Sequence, residues 1–224
     1  MPKTPATTGT ESTTVAGPRS KKGHRTRDRL VKAAKVVFER SGFLNARISD
    51  IVAEAGISHG AFYHYFESKE QIFREVAVEQ EVSMTTLAHR VDRQSPESGA
   101  RNAYERIRTA NAVYLEAYRS EAAIMRVIEE VSRYDAEVYA VRERRQREYG
   151  ELLARSIRRL QQQRLADQRV DPDLAAAALG GMVAKFAEMT LVQGYDEFGL
   201  VHSIDQITLL WANAIGLHPD ERPT

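Results

Sequence analysis

The chain has 224 residues, 42% of them hydrophobic and 28% charged, the balance of an ordinary soluble globular protein with one large domain or two modest ones. It has no cysteine, which excludes disulfides, thiolate metal sites and cysteine nucleophiles. The net charge of +1 is unevenly spread: residues 1–74 hold 13 Lys+Arg and 7 Asp+Glu, a balance of +6, and the remainder holds 19 and 24, a balance of −5, which suits a polyanionic partner met at the N-terminal end.

Residues 1–18 are rich in Thr, Pro, Ser, Gly and Ala and carry almost no large apolar side chain, so they are expected to be disordered. A basic cluster follows at Arg19, Lys21, Lys22, Arg25, Arg27 and Arg29, with Asp28 as its one acid. The expected tail, residues 1–22, reads either as a DNA-binding arm or as a solubilising tail. From Thr26 the pattern turns helical. Leu30, Ala33, Ala34, Val37, Phe38 and Ser41 form one buried stripe, Thr26 can cap its start, and Gly42 suits the left-handed residue after its last turn. Further helices are expected near 48–55, 58–65, 69–91, 101–119, 121–132, 134–165, 172–193 and 203–216. The breaks are marked by Gln94-Ser95-Pro96-Glu97-Ser98-Gly99, Asp171-Pro172-Asp173, Gly194 and Gly199. No stretch sustains strand alternation, so the fold class is all-α: a small N-terminal domain, residues 23–74, and a larger helical domain, residues 75–218. No apolar run approaches the length of a membrane span and no signal-peptide segment opens the chain. A cytoplasmic, nucleoid-associated protein that makes no use of a membrane is the expectation.

Asp50 to Glu70 carries the most information. Ile48, Ile51, Val52 and Ala55 make one face of a short helix. Gly56-Ile57-Ser58 then makes a tight turn in which Gly56 takes a positive φ, Ile57 plugs the core and Ser58 caps the next helix. Ala53 is small, as a close helix crossing needs. In the second helix Phe62 and Phe66 point inward, while His59, Gly60, Tyr63 and His64 share the other face with no carboxylate among them. That face suits a DNA groove: Gly60 lets the backbone approach, Tyr63 and His64 can donate to phosphates, and His59 can read a base edge. Lys69 opens the following helix, where its charge and the first amides can hold a phosphate. Tyr63 and Tyr65 also read as packing aromatics, and His64 as a surface histidine.

Gly42-Phe43, Asp50-Ile51, and Ala55-Gly56-Ile57-Ser58-x-Gly60-x-Phe62-Tyr63-x-Tyr65-Phe66-x-Ser68-Lys69-Glu70 together resemble the DNA-binding domain of the TetR family of bacterial transcriptional regulators. The resemblance covers about 26–74. It implies DNA binding through the helix at 58–65, helped by the starts of the helices on either side, and so implicates Tyr63, His64 and Lys69; with Arg47, Ser58, His59 and Gly60, read from the residues themselves, these are the candidate DNA-binding residues. Where the family often has Thr-Thr or Thr-Ser before its second helix, this chain has Ala46-Arg47. Arg47 can supply the phosphate contact as a charge, but the cap is lost unless Asn45 provides it.

Further along, Tyr104, Ile107, Asn111, Tyr114 and Tyr118 form a stripe that reads as core or as pocket lining. Asn111 needs a partner from a neighbouring helix or a ligand. Val138, Val141, Arg145, Tyr149 and Leu152 share a seam that turns Arg145 inward, where it demands an anion: Glu116, Glu129 or Glu188 within the chain, or a ligand's carboxylate or phosphate. Tyr104, Asn111, Tyr114, Tyr118, Arg145 and Phe186 are the candidate ligand residues. Residues 172–193 and 203–216 are apolar on more than one face. Ala175 to Ala178 and Gly180-Gly181 allow close approach, and Leu179, Met182, Val183, Phe186, Met189, Ile204, Ile207, Leu210, Trp211 and Ile215 supply area. The resemblance implies that these two helices form a homodimer.

The expected function is therefore a sequence-specific regulator, a repressor released from an inverted-repeat operator by a small apolar or amphipathic ligand. Flat drugs, lipids and acyl derivatives all fit, and the helix near 69–91 would serve as the lever between domains. An enzyme finds no support: there is no nucleophile elbow, P-loop or dinucleotide-binding glycine pattern, and His24, His59, His64, His89, His202 and His218 are not spaced as metal ligands. No cofactor is indicated. A ligand-independent architectural DNA binder is the remaining alternative.

Overall fold

The computed structural model describes residues 21–93, 100–194 and 198–217. The expected tail up to residue 20, the turn at 94–99 and residue 218 lie outside them. The described residues form helices and no strand: α1 (Lys21–Asn45), α2 (Ile48–Ala55), α3 (His59–Phe62), α4 (Lys69–Arg93), α5 (Ala100–Ser120), α6 (Ala122–Val131), α7 (Ala136–Gln162), α8 (Pro172–Ala187), a π-helical turn (Glu188–Val192) and α9 (Leu200–Ala214).

Helix α1 forms because its apolar residues recur at three and four, and Leu30, Ala33, Ala34, Val37 and Phe38 are all buried. It begins upstream of the expected start. Thr26 is not its cap but lies inside it, its hydroxyl donating to the Lys22 carbonyl at 3.1 Å. Gly42 kinks the chain at φ 70°, which turns Phe43 back into the core. There Phe38 and Phe43 meet Phe73 of α4, with ring centroids 4.9 and 5.0 Å away.

This first core is not confined to α1–α4. Ile124, Val127, Ile128 and Val131 of α6 and Val138 of α7 are buried in it. The expected division at residues 74 and 75 therefore falls inside α4, which continues from one core into the next. Ion pairs reinforce the junction. Lys35 of α1 pairs with Glu121 just before α6, and Arg74 of α4 pairs with Asp135 at 3.0 Å and Glu137 at 2.6 Å, where α7 begins.

The second core lies between α4, α5, α7, α8 and α9, around Leu115, Ile157, Ile207 and Trp211. Helix α7 packs on α8, and α5 on α9. Asp171 caps α8 by accepting from the Asp173 and Leu174 amides at 2.9 Å, and Pro172 needs no amide partner at the first position. The expected single helix over 172–193 is α-helical only to Ala187. It widens into the π turn, where the Thr190 hydroxyl donates to the Phe186 carbonyl at 2.7 Å. By length and composition, Pro172–Val192 could cross a membrane (mean hydropathy 1.4), against the expectation that no run would pass that test.

Candidate DNA-binding site and interior cavities

The helix-turn-helix is built by two caps. At the end of α2, Gly56 adopts φ 62° and ψ 41°. Its amide donates to Ala53 at 3.1 Å and the Ile57 amide donates to Val52 at 3.0 Å, the paired bonds of a left-handed helix stop. Ile57 then packs against the first core, and the Ser58 hydroxyl accepts from the Ala61 amide at 3.3 Å, starting α3. Ala53 is exposed rather than pressed against a neighbour. Helix α3 is one turn long and continues as tight turns, with the Tyr65 and Phe66 amides donating to the Phe62 carbonyl.

Phe62 and Phe66 are buried against the first core. His59, Gly60, Tyr63 and His64 are exposed together, with Tyr63 at 47% and its ring tilted on His59 at 5.5 Å. Arg47 is exposed at the start of α2; its carbonyl accepts from the Asp50 and Ile51 amides, and its guanidinium makes no hydrogen bond or ion pair among the described residues. No side chain caps α2. Asn45 does not take that part, because its amide donates back to the Ser41 carbonyl at 3.3 Å. Lys69 is placed differently from the expectation of a phosphate-holding ammonium. Its Nζ donates to the carbonyls of Phe43 at 2.8 Å and Ala46 at 3.0 Å, with Leu44 at 3.4 Å, and lies 4.5 Å from the centre of the Phe43 ring. The ammonium's three protons are directed at the orphan carbonyls where α1 ends, so it ties α4 to α1.

Two cavities lie among the helices that form the second core. The smaller, about 290 Å³, is walled mainly by apolar side chains such as Ile107, Leu152, Leu153 and Trp211, and also by Asn111 and Tyr114. The larger, about 610 Å³, opens between α7 and α8 and is lined by Tyr114, Tyr118, Tyr149, Arg142 and Arg145, among others. Burial raises the Tyr114, Tyr118 and Tyr149 hydroxyls above their ordinary value, so these phenols stay protonated and can donate.

Four of the six expected ligand residues thus come to cavities: Asn111, Tyr114, Tyr118 and Arg145. Two do not. Tyr104 and Phe186 pack half-buried against the second core and line neither cavity. Asn111 finds its partner in a neighbouring helix, donating to the Thr208 hydroxyl at 3.1 Å. Arg145 finds its anion in the chain, but not at Glu116, Glu129 or Glu188: its Nε lies 2.7 Å from a carboxylate oxygen of Glu81 on α4. Glu81 is 4% exposed and Arg145 13%. Burial raises the Glu81 carboxyl, while Arg145 and Arg142 pull it down. Sequence reasoning missed Glu81. The signal was the stripe Phe73, Val76, Ala77, Gln80, Glu81 and Met84 on α4, which carries two polar residues inward on an apolar face.

A turn of this geometry, with its second helix bare of acid and turned to solvent, is a helix-turn-helix DNA-binding module. Residues 30–76 match the model of the bacterial regulatory proteins of the tetR family. Over 55 residues the chain is 49% identical to the uncharacterised HTH-type transcriptional regulator YdgC of Bacillus subtilis, 25% of this chain and 28% of that one. Over 61 residues it is 41% identical to the HTH-type transcriptional repressor NicS of Pseudomonas putida, 27% of this chain and 29% of that one. The match therefore spans little more than a quarter of these relatives. The whole fold is similar to the crystal structure of a TetR-family regulator from Mesorhizobium loti. The TM-score is 0.72 at 18% identity, over 87% of this chain and 98% of that one. Residues 30–76 thus form a DNA-binding domain of the tetR-family type.

Proposed function

We propose that the protein is a sequence-specific repressor that binds an inverted-repeat operator as a homodimer and is released by a small apolar or amphipathic ligand. The observation that carries this reading is the sorting of faces after Ser58. Two phenylalanines anchor the segment in the core, and His59, Gly60, Tyr63 and His64 are left in solvent, as is Arg47 at the start of α2 with no partner for its guanidinium. A short helix presented this way can enter the major groove, with Arg47 on a flanking phosphate. A two-fold dimer through α8 and α9 would place two such segments roughly one helical turn of DNA apart, about 34–36 Å. The exposed Leu174, Val201, Leu209 and Leu210 on these helices support that pairing. The ligand reading rests on the two cavities, which adjoin α4, the helix that also begins at the DNA-binding segment.

The test is to map binding of the purified protein across its source genome and repeat it at the best site with Tyr63→Ala and Arg47→Ala. Protection of one short inverted repeat, lost in both variants with unfolding temperatures unchanged, is the expected result. Equal binding to all DNA would favour the architectural alternative, and no binding would end the regulatory reading. Lys69→Ala is a poor reporter here, because Lys69 holds α1 to α4.

A further inference from the structure

The larger cavity carries four cations and four acids on its wall, and most of them cancel in pairs. Arg147 pairs with Glu143 and Lys185 with Glu188, each at 2.7 Å. Glu151 and Asp173 are held by Arg155 and Arg158. Arg142 and Arg145 are left. Arg142 donates to a neutral partner, the Ser132 hydroxyl, at 2.7 Å. Arg145 reaches Glu81 through Nε as an ion pair, while its Nη1 and both Glu81 carboxylate oxygens are buried with no hydrogen-bond partner. Two guanidinium groups thus share one carboxylate, and that carboxylate is not on the cavity wall. The pair is poorly satisfied on both sides, which is costly, and a second carboxylate placed on Nη1 would complete the Arg145 guanidinium and face Arg142, the other cation without an acid of its own. The protonated phenols of Tyr114 and Tyr118 beside it add donors of the kind a carboxylate takes.

The smaller cavity supplies the rest of the ligand's outline. It shares Met84, Tyr114 and Tyr149 with the larger one, and the stacked rings of Tyr114 and Tyr149, 5.8 Å apart, stand at the common wall. Apolar volume therefore adjoins the cationic end. We propose, building on the ligand-released regulator above, that the cavities take one amphipathic carboxylate with its head group on Arg145 and Arg142 and its chain in the apolar space beyond Tyr114, and that the head group competes with Glu81 for Arg145. Glu81 lies twelve residues along α4 from Lys69, about 18 Å of helix. Releasing Glu81 frees a buried ion pair that fixes α4 to α7, and α4 runs on to the DNA-binding segment.

Trp211, the only tryptophan, is on the wall of the smaller cavity and reports its occupancy. The experiment titrates the full chain, below micelle-forming concentrations, with octanoate, dodecanoate and hexadecanoate, and with dodecanol and dodecyltrimethylammonium as the neutral and cationic forms of one chain. The proposal expects at least one carboxylate to bind roughly tenfold or more tightly than the neutral or cationic form, the worth of one charge-assisted hydrogen bond. The paired variant Glu81→Gln with Arg145→Gln leaves no lone buried charge, so it folds, and it is expected to lose that preference while keeping dodecanol affinity. Glu81→Gln alone removes the competitor and is expected to bind the carboxylate more tightly. Preference for the cation, equal binding of all three head groups, a preference that survives the paired variant, or no binding by any carboxylate overturns the proposal. DNA binding by the ligand-free protein is measured in parallel. Its absence would sink the regulatory reading and leave the result at the cavity standing.

Discussion

A β-carbon built on Gly60 meets nothing within 4 Å in the free protein, and glycine in a helix costs about 0.5–1 kcal/mol relative to alanine. Gly60→Ala is therefore expected to raise the unfolding free energy by up to about that amount in urea titration. If this turn lies against DNA, the same methyl group fills the space the phosphate backbone needs, and operator affinity falls tenfold or more by fluorescence anisotropy. Stability and binding moving in opposite directions would mark Gly60 as a contact residue; a variant that keeps its affinity would remove it from the interface. Lys69 gives the contrary case. Lys69→Ala leaves partly buried carbonyls of Phe43 and Ala46 without a donor, which is expected to cost about 1–3 kcal/mol in the same titration. From the sequence, a lysine opening a helix beside a DNA-binding turn reads as a phosphate ligand. Its partners come from 23 and 26 residues earlier in the chain, where no local pattern points to it. His59, Tyr63 and His64 were legible as exposed because Phe62 and Phe66 fix which face turns inward.

Helices were legible wherever apolar spacing and caps coincide, and uncertain where tertiary contacts set the boundary. Asp171-Pro172 announces α8, and its cap forms as that pair suggests. The far end of the same helix widens into a π turn that no residue type signals, because the turn is shaped by packing against α5 and α6. Helix α7 starts two residues later than the periodicity alone implies, at a cap doing two things at once. Asp135 accepts from the Glu137 and Val138 amides at 3.0 Å and from Arg74 Nε at 3.0 Å. Burial pushes its carboxyl up, yet the Val138 amide, Arg74 and the Glu137 amide together outweigh burial and hold it below its ordinary value. A depressed carboxyl stabilises the fold fully above the unfolded-state value and loses that stabilisation as pH falls through the native one. Asp135→Ala is expected to cost about 1–2 kcal/mol at neutral pH, the cap plus a discounted surface-side ion pair, and Asp135→Asn to recover most of the cap. Chemical unfolding across pH checks this: the gap between wild type and Asp135→Ala should close as the solution is acidified below the ordinary carboxyl value of 3.8. A gap that stays constant would show that the carboxylate charge contributes nothing.

For the molecule as a whole, the contacts that join its parts are the ones a one-dimensional pattern hides. The small domain shares its core with α6, and the Arg145 seam was visible although its partner, sixty-four positions earlier on α4, was not. The outer faces of α8 and α9 are a different matter, since an apolar residue with no inward role shows in both sequence and structure. Leu174 is 71% exposed and Leu210 55%, while Ile204, Ile207 and Trp211 on the same helix as Leu210 are buried in the chain's own core. Each exposed leucine can therefore be changed without opening a cavity in the single chain. In a two-fold interface every substitution counts twice, and each fully buried leucine is worth about 1.5–3 kcal/mol. Leu210→Glu also sets two carboxylates into an apolar contact. If the chain pairs through these helices as proposed, the dimer dissociation constant should then rise by about two orders of magnitude or more, seen by sedimentation as monomer at concentrations where wild type pairs. Circular dichroism should remain helical, since nothing in the chain's own core has changed. Operator affinity should fall with the dimer, because one recognition segment reads only one half-site. A Leu210→Glu protein that stays dimeric and keeps its operator would move the interface away from this face of α9, and Leu174→Glu would then decide whether α8 still belongs to it.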